Sequence, residues 1–364
     1  MVQGRSALRA AAALRVKPPP RPHRSLPPKG AQPAFGADLQ AGTSAKRLQR
    51  RALVYQLLTV AVLLAVVLAL AYNTAQNLRL RGIPSGFDFL AQAAGFDIGD
   101  SLIAFAAGAP YWQALLVGLV NTLRVALPAM LLTALIGTVL GLGRLSRNFL
   151  LRSLCGAYVE TFRNIPLLLQ LLAWYFVLTD LLPPVEDAWR TGTAIFLSKS
   201  GLAFPIPIVE GGRWLLDLPR REGFGIGGGG SLTPEFLAVL LGLVFYSAAY
   251  FAETVRAGFN AVPLAQKQAA AALGLTRFQA LVSVTLPQAL RLIMPPAANQ
   301  FLSLTKNSSL AIAVGYPDLV SVANTTLNQT GRAVECVSLI MLVYLCLSLA
   351  TSLFMHWAER RMAW

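Results

Sequence analysis

The sequence predicts an all-α, polytopic membrane protein with about six transmembrane helices, and three observations predict it. Of its 364 residues, 55% are hydrophobic and only 13% are charged, where a soluble domain carries about 25% charged residues. The apolar residues are gathered into runs of about twenty, the length a helix needs to cross a bilayer. When those runs are threaded in turn through a membrane, the short connectors rich in Arg and Lys all fall on one side.

Taken in order, the chain begins with its most uneven stretch. The net charge is +15, and eleven Lys and Arg lie between Arg5 and Arg51, where Asp38 is the sole acid. The runs Pro18-Pro19-Pro20 and Pro27-Pro28 prevent a long helix, so residues 1–51 read as a basic, disordered cytoplasmic tail suited to an anionic membrane surface. Nucleic-acid binding would call for aromatics among those basic residues, and Phe35 is the only one in residues 1–50. Residues 52–72 follow as an extra N-terminal transmembrane helix. That run is longer than a signal-peptide core, although Ala69-Leu70-Ala71 resembles a cleavage site. Residues 73–111 turn polar, with Gly82, Pro84, Gly86 and Asp88 marking turns, and read as a periplasmic loop.

Residues 112–143 are mostly apolar, with Asn121, Thr122 and Arg124 as the polar cluster within them, which predicts an interfacial lead-in before Arg124 and a span after it. Arg144, Arg147 and Arg152 assign the next connector to the cytoplasm. A third run, 165–182, stops at Pro183-Pro184. Residues 184–234 then form a long polar insertion broken by Pro205, Pro207 and Pro219, placed on the periplasmic side. Its Gly225, Gly227 and Gly230 match a dinucleotide-binding spacing, but the pattern predicts no strand before them, and the segment reads as a flexible loop. Thr233 as N-cap and Pro234 at the first helical position open a fourth span over 235–252. The connector 257–287 holds Lys267 and Arg277 and no acid, which suits the cytoplasm. A fifth span at 288–305, interrupted by Pro295-Pro296, and a sixth at 337–357 leave residues 358–364 as a cytoplasmic C-terminus.

Composition also narrows the chemistry. Cys155, Cys336 and Cys346 form no CxxC pair, and His23 and His356 lie at opposite ends of the chain, so no metal site, cofactor site or catalytic cluster is predicted. No phosphate-binding P-loop occurs, so any use of ATP must act through a partner. Glu160 with Arg163, and Glu253 with Arg256, are three apart and are expected to form local ion pairs on their helices.

The most informative segment is 265–287. Its alanines favour a helix, Gly274 supplies a left-handed stop, and Thr276 can cap a second helix running on into the fifth span. The product is a short helix-turn-helix knob between two spans, which a soluble partner could grip. By helix rules alone, any Ala-rich helix ending in Gly would look the same.

Gln268-Ala269-Ala270, Gly274 and Leu286-Pro287 stand at the spacing of the cytoplasmic coupling loop of ABC importer permeases, and the segment resembles that loop. Gln268 departs from the family's usual Glu, keeping length and hydrogen bonding but losing a charge. Stretches 158–170, 252–260 and 304–319 resemble permeases of the polar amino-acid uptake group, the last of them its general L-amino-acid branch. The resemblance covers about residues 112–357 as a permease core. Six spans with basic connectors on one side put both termini inside, and the resemblance implies an ABC importer permease-like bundle in the bacterial inner membrane. It also implies cytoplasmic ATP-binding subunits, a second permease subunit that is identical or a paralogue, and a periplasmic amino-acid-binding protein. Gln268, Ala269, Ala270, Gly274 and Pro287 would then form the ATPase-coupling loop.

Asn299, Lys306, Asn307 and Ser308 are the polar groups that could line a substrate pathway, since a buried Lys beside amides and hydroxyls suits a carboxylate. Lys306 could equally snorkel to the membrane surface. A secondary amino-acid carrier is the rival reading, and it would show internal repeats with paired broken helices; one Pro-broken span and no repeat are visible.

Overall fold

The computed structural model describes residues 37–82, 85–192, 194–210, 213–222 and 225–362. The chain divides into two compact units, Met1–Asn77 and Leu78–Trp364. The first is the greater part of helix α1, Ala37–Leu80. Its stretch Leu53–Leu80 is long and apolar enough to cross a membrane. Residues 1–36 of the expected tail lie outside the described residues. Residues 37–51, expected to belong to that tail, are helical instead. No proline follows Pro33 until Pro84, so nothing halts the helix where the apolar run begins.

The second unit is a helical bundle built on a crossed pair. Helix α2, Tyr111–Arg144, packs against α5, Pro234–Ala261. Around the pair stand α3, Phe149–Asn164, α4, Leu167–Phe176, α8, Leu286–Asn307, α9, Leu319–Thr330, and α10, Ala333–Met362. Glycines set the approach. A Cβ on Gly141 would lie 2.7 Å from the Ala252 carbonyl, and one on Gly137 would lie 2.8 Å from Phe251 Cβ. Small residues of this kind let membrane helices gain dispersion contacts where water exclusion no longer drives association.

Two expectations about these helices change. Helix α2 is continuous through Arg124, so the lead-in and the span are one element. The charge is tolerated because Arg124 pairs with Asp100 and lies 4.8 Å over the Phe236 ring. The third run, 165–182, begins at a sharp bend: α3 and the helix that starts at Leu167 meet at 103°, where Pro166 caps α4 without donating an N–H. Among the described residues four helices are long and apolar enough to span a bilayer, or five if this bent pair is one span. Helix α8, expected as the fifth span, runs unbroken through Pro295-Pro296 and is not among the four. Its glutamines, asparagines, Arg291 and Lys306 dilute its apolar face.

The loop before α2 is packed. Phe89 and Ala94 are buried with Tyr111, Ala114, Val322 and Cys336. Arg332 pairs with Asp88 at 3.2 Å, and Glu335 accepts the Gly86 N–H. The insertion expected as a flexible loop is β-structured. Strands β1 (Trp189–Thr191), β2 (Ile195–Ser198), β3 (Gly201–Phe204) and β8 (Gly230–Leu232) form an antiparallel sheet in that order. Hairpins β4–β5 (Ile206–Glu210, Arg213–Asp217) and β6–β7 (Arg220–Glu222, Gly225–Gly227) leave and rejoin it. The glycine run is part of this order: Gly228 and Gly229 take φ of +69° and +62°, which turns β7 into β8. The Gly229 N–H donates to Asp217 at 2.8 Å.

Candidate functional site: a projecting knob, a polar helix face and a charged cavity

At one end of the bundle, α5 gives way to α6 (Leu264–Ala272) and α7 (Arg277–Ala280), which runs through a π turn (Leu281–Thr285) into α8. Gly274 has φ +76°, the left-handed stop expected of it, and the Leu275 N–H reaches back to the Ala270 carbonyl at 3.1 Å. Thr276 and Gln279 form a reciprocal capping box. Of the predicted coupling residues, Gln268, Ala269, Gly274 and Pro287 are exposed, and Ala270 is buried against the stem. Sequence reasoning missed the apolar residues around them: Leu264, Leu273 and Phe278 stand 66%, 81% and 73% exposed. Their signal was large apolar side chains inside a segment already read as solvent-facing.

The four predicted pathway residues are divided. Asn299 and Lys306 lie on one exposed face of α8 with Ser303, while Asn307 is half-buried. Ser308 is buried, and its hydroxyl donates to the Thr305 carbonyl at 2.7 Å, starting a 3-10 turn over Ser308–Val314. Lys306 borders a cavity of about 400 Å³ with Ser309, Tyr344 and Ser348. Behind it lies a buried acid the sequence reading did not single out. Asp318 caps α9 by accepting the Ser321 N–H at 2.9 Å, and Tyr344 donates to it at 3.4 Å. Burial, only partly offset by these bonds, pushes the Asp318 carboxyl up to about 7. The same loop is tied to α2: the Leu319 N–H donates to Thr122, and Asn121 donates to the Pro317 carbonyl at 3.0 Å.

Nearer the knob is a charged cluster. Glu253 of α5 accepts from both Arg144 and Arg256. The expected Glu253–Arg256 pair is present, but Glu160 meets Arg144 of α2 at 3.9 Å in place of Arg163. The fold brings the end of α2 over α3, which three-residue spacing could not reveal. Arg163 instead lies 5.0 Å over the Tyr250 ring. Beside it opens a cavity of about 450 Å³ lined by Arg163, Tyr250, Glu253, Thr254, Gln300 and the small residues of α5. Among the described residues no group of three or more His, Cys, Asp or Glu could hold a metal ion.

The chain is similar to known proteins. Residues 133–364 match the family described as binding-protein-dependent transport system inner membrane component. The general L-amino acid transport system permease protein AapQ of Rhizobium johnstonii is 40% identical, over 86% of this chain and 92% of its own length. The putative amino-acid ABC transporter permease protein YhdX of Escherichia coli is 39% identical, over 86% of this chain and 94% of its own. A solved amino acid ABC transporter crystallised with histidines superposes with a TM-score of 0.50 at 25% identity, covering 69% of this chain and 95% of that one.

Proposed function

Because the chain belongs to the family of inner membrane components of binding-protein-dependent transport systems, we propose that it is the permease subunit of an ATP-driven importer of L-amino acids. The observation that carries this reading is the knob: a capped, glycine-stopped helical pair that projects Leu264, Leu273 and Phe278 and continues into α8. Exposed apolar groups of this size on a rigid projection mark a docking surface. Lys267 and Arg277 flank them, so the complementary surface is an apolar cleft with an acidic rim on an ATP-hydrolysing subunit.

In this reading the knob faces the cytoplasm, as do both termini, and the sheet of residues 189–232 faces the periplasm, where a loaded binding protein docks. A second permease, identical or paralogous, closes the pathway opposite the α8 face of Asn299, Ser303 and Lys306. Lys306 would attract the substrate carboxylate, with Asn307 bordering the path and Ser308 shaping the turn. ATP binding between the partner subunits would move the knob, and α5 and α8 with it, exposing the pathway alternately to each side.

The test is purification from native membranes through a C-terminal tag, followed by reconstitution. Recovery of an ATPase and a second permease, with ATP hydrolysis stimulated by an amino-acid-loaded binding protein, is expected. Replacing Leu273 and Phe278 together by Ser should abolish stimulated hydrolysis while insertion is retained. A stable, transporting complex without any ATPase would overturn the reading in favour of a secondary amino-acid carrier.

A further inference from the structure

The charged cavity beside Arg163 has no part in the knob and lies apart from the Lys306 face. Gln300 on its rim is six residues from Lys306 along α8, about 9 Å at helical rise. Its lining carries Arg163 and Glu253, and two guanidiniums behind the wall are already engaged, since Arg144 and Arg256 both hold Glu253, and Arg144 also approaches Glu160. Three guanidiniums, counting Arg163, thus face two carboxylates.

Arg163 is the one left over: among the described residues no carboxylate lies within ion-pair distance of it. Its guanidinium carbon lies 5.0 Å over the centre of the Tyr250 ring, a cation–π contact. That contact engages the face of the ring, and a guanidinium can also take a carboxylate through two parallel hydrogen bonds. Thr254 and Gln300 add neutral hydrogen-bonding groups, and Gly258, Leu292 and Pro296 give a smooth apolar wall.

We propose that this cavity is a binding station for the carboxylate of an amino acid on its way out toward the knob side, with Arg163 as the anchor. The surplus positive charge makes the station selective: neutral and acidic amino acids are held, and net-cationic ones are repelled. The inference rests on the importer reading and adds a second carboxylate station beyond the Lys306 face.

A ligand held at the exit slows the next cycle, so the station is read as product inhibition. The full complex is reconstituted in proteoliposomes with ATP and graded amino acid in the lumen and the loaded binding protein outside, and initial uptake of labelled substrate is measured. Lumenal glutamate and glutamine should inhibit the parent complex, and lysine should do so at least about tenfold more weakly. Arg163→Gln should raise the inhibitory concentrations of glutamate and glutamine about tenfold or more, the loss of one charge-assisted bidentate contact. Arg163→Lys should stay within about threefold of the parent.

Equal inhibition in Arg163→Gln and the parent overturns the proposal, as does lysine inhibiting as well as glutamate. If Arg163→Gln does not assemble, Ala257→Trp fills the cavity from its exposed wall without touching an ion pair. Unchanged glutamate inhibition in that variant also overturns the proposal. A parent complex that takes up nothing overturns the importer reading itself; one that takes up substrate but ignores lumenal amino acid overturns only the exit station.

Discussion

Helices α5 and α10 are nearly equal in length, at 28 and 30 residues, and both are apolar enough to cross a membrane. Yet 61% of the apolar window of α5 is buried within the chain, and none of the window of α10 is. The helix with the more apolar spanning stretch is therefore the peripheral one. In a bilayer, apolarity lowers the cost of meeting lipid, while association follows close approach. Helix α5 offers Gly242, Ser247, Ala248, Ala249, Ala252 and Gly258 to its neighbours, all buried. Helix α10 offers Met341, Leu345, Leu349 and Leu353, all exposed. Position in this bundle is written in side-chain size more than in hydropathy.

The sharpest way to break that contrast is to enlarge a contact glycine. Gly141→Val would drive a side chain into the Ala252 carbonyl and Val255, neither of which can yield without separating α2 from α5. The expected loss is about 3 kcal/mol, seen as a large drop in thermal unfolding temperature in detergent. An unchanged temperature would mean the helices are not apposed as described. Arg144→Ala should come next, at about 2 kcal/mol, because it strips a charge-assisted bond from Glu253 and separates Glu160 from its partner.

A third test uses pH. The Asp318 carboxyl ordinarily titrates at 3.8 and is pushed up to about 7 by burial. The folded chain therefore binds the proton more tightly than the unfolded chain, and stability falls as pH rises from about 4 to about 7 and is level above. Asp318→Asn keeps the acceptor for Ser321 and removes the charge. Its stability should be flat through that window and exceed the parent's at pH 8, measured by thermal unfolding at each pH. At the small end, Leu349→Ala on the open face of α10 should shift stability by no more than about 0.5 kcal/mol. A larger loss would mean that this face is covered by protein in the assembly.

What could be read in the sequence was local. Thr233 with Pro234, Gly274, and Thr276 all act at the helix ends where they were expected, because capping involves neighbours three or four residues away. The knob was legible for that reason. Arg163 was misjudged because its environment is assembled from α3, α5 and α8, and spacing within α3 describes only one of them. The sheet was hidden by strands of three to five residues set among prolines and glycines, too short to establish a period of two. The packed loop before α2 did carry a signal in Phe89 and Phe96, which meet Tyr111, and in Phe105, which meets Phe96. Of the proposed pathway residues, Ser308 was out of reach, since only the fold reveals that its hydroxyl is spent on a turn.

The π turn at Leu281–Thr285 sits between the knob and α8. A π turn closes its hydrogen-bonded ring with one residue more than an α turn. Drawing that extra residue into regular winding would rotate everything beyond it by about 100°. Asn299, Ser303 and Lys306 would leave the side they now present, and Gln300 would turn with them. A second turn of the same kind, Val177–Leu181, closes α4. That one ends in extended backbone at Leu182, so only the turn at Leu281–Thr285 joins two helical segments. Taking up one residue spans about 1.5 Å of helical rise, against about 5.4 Å for a whole turn, so the face α8 displays is linked to a small change in length at this junction.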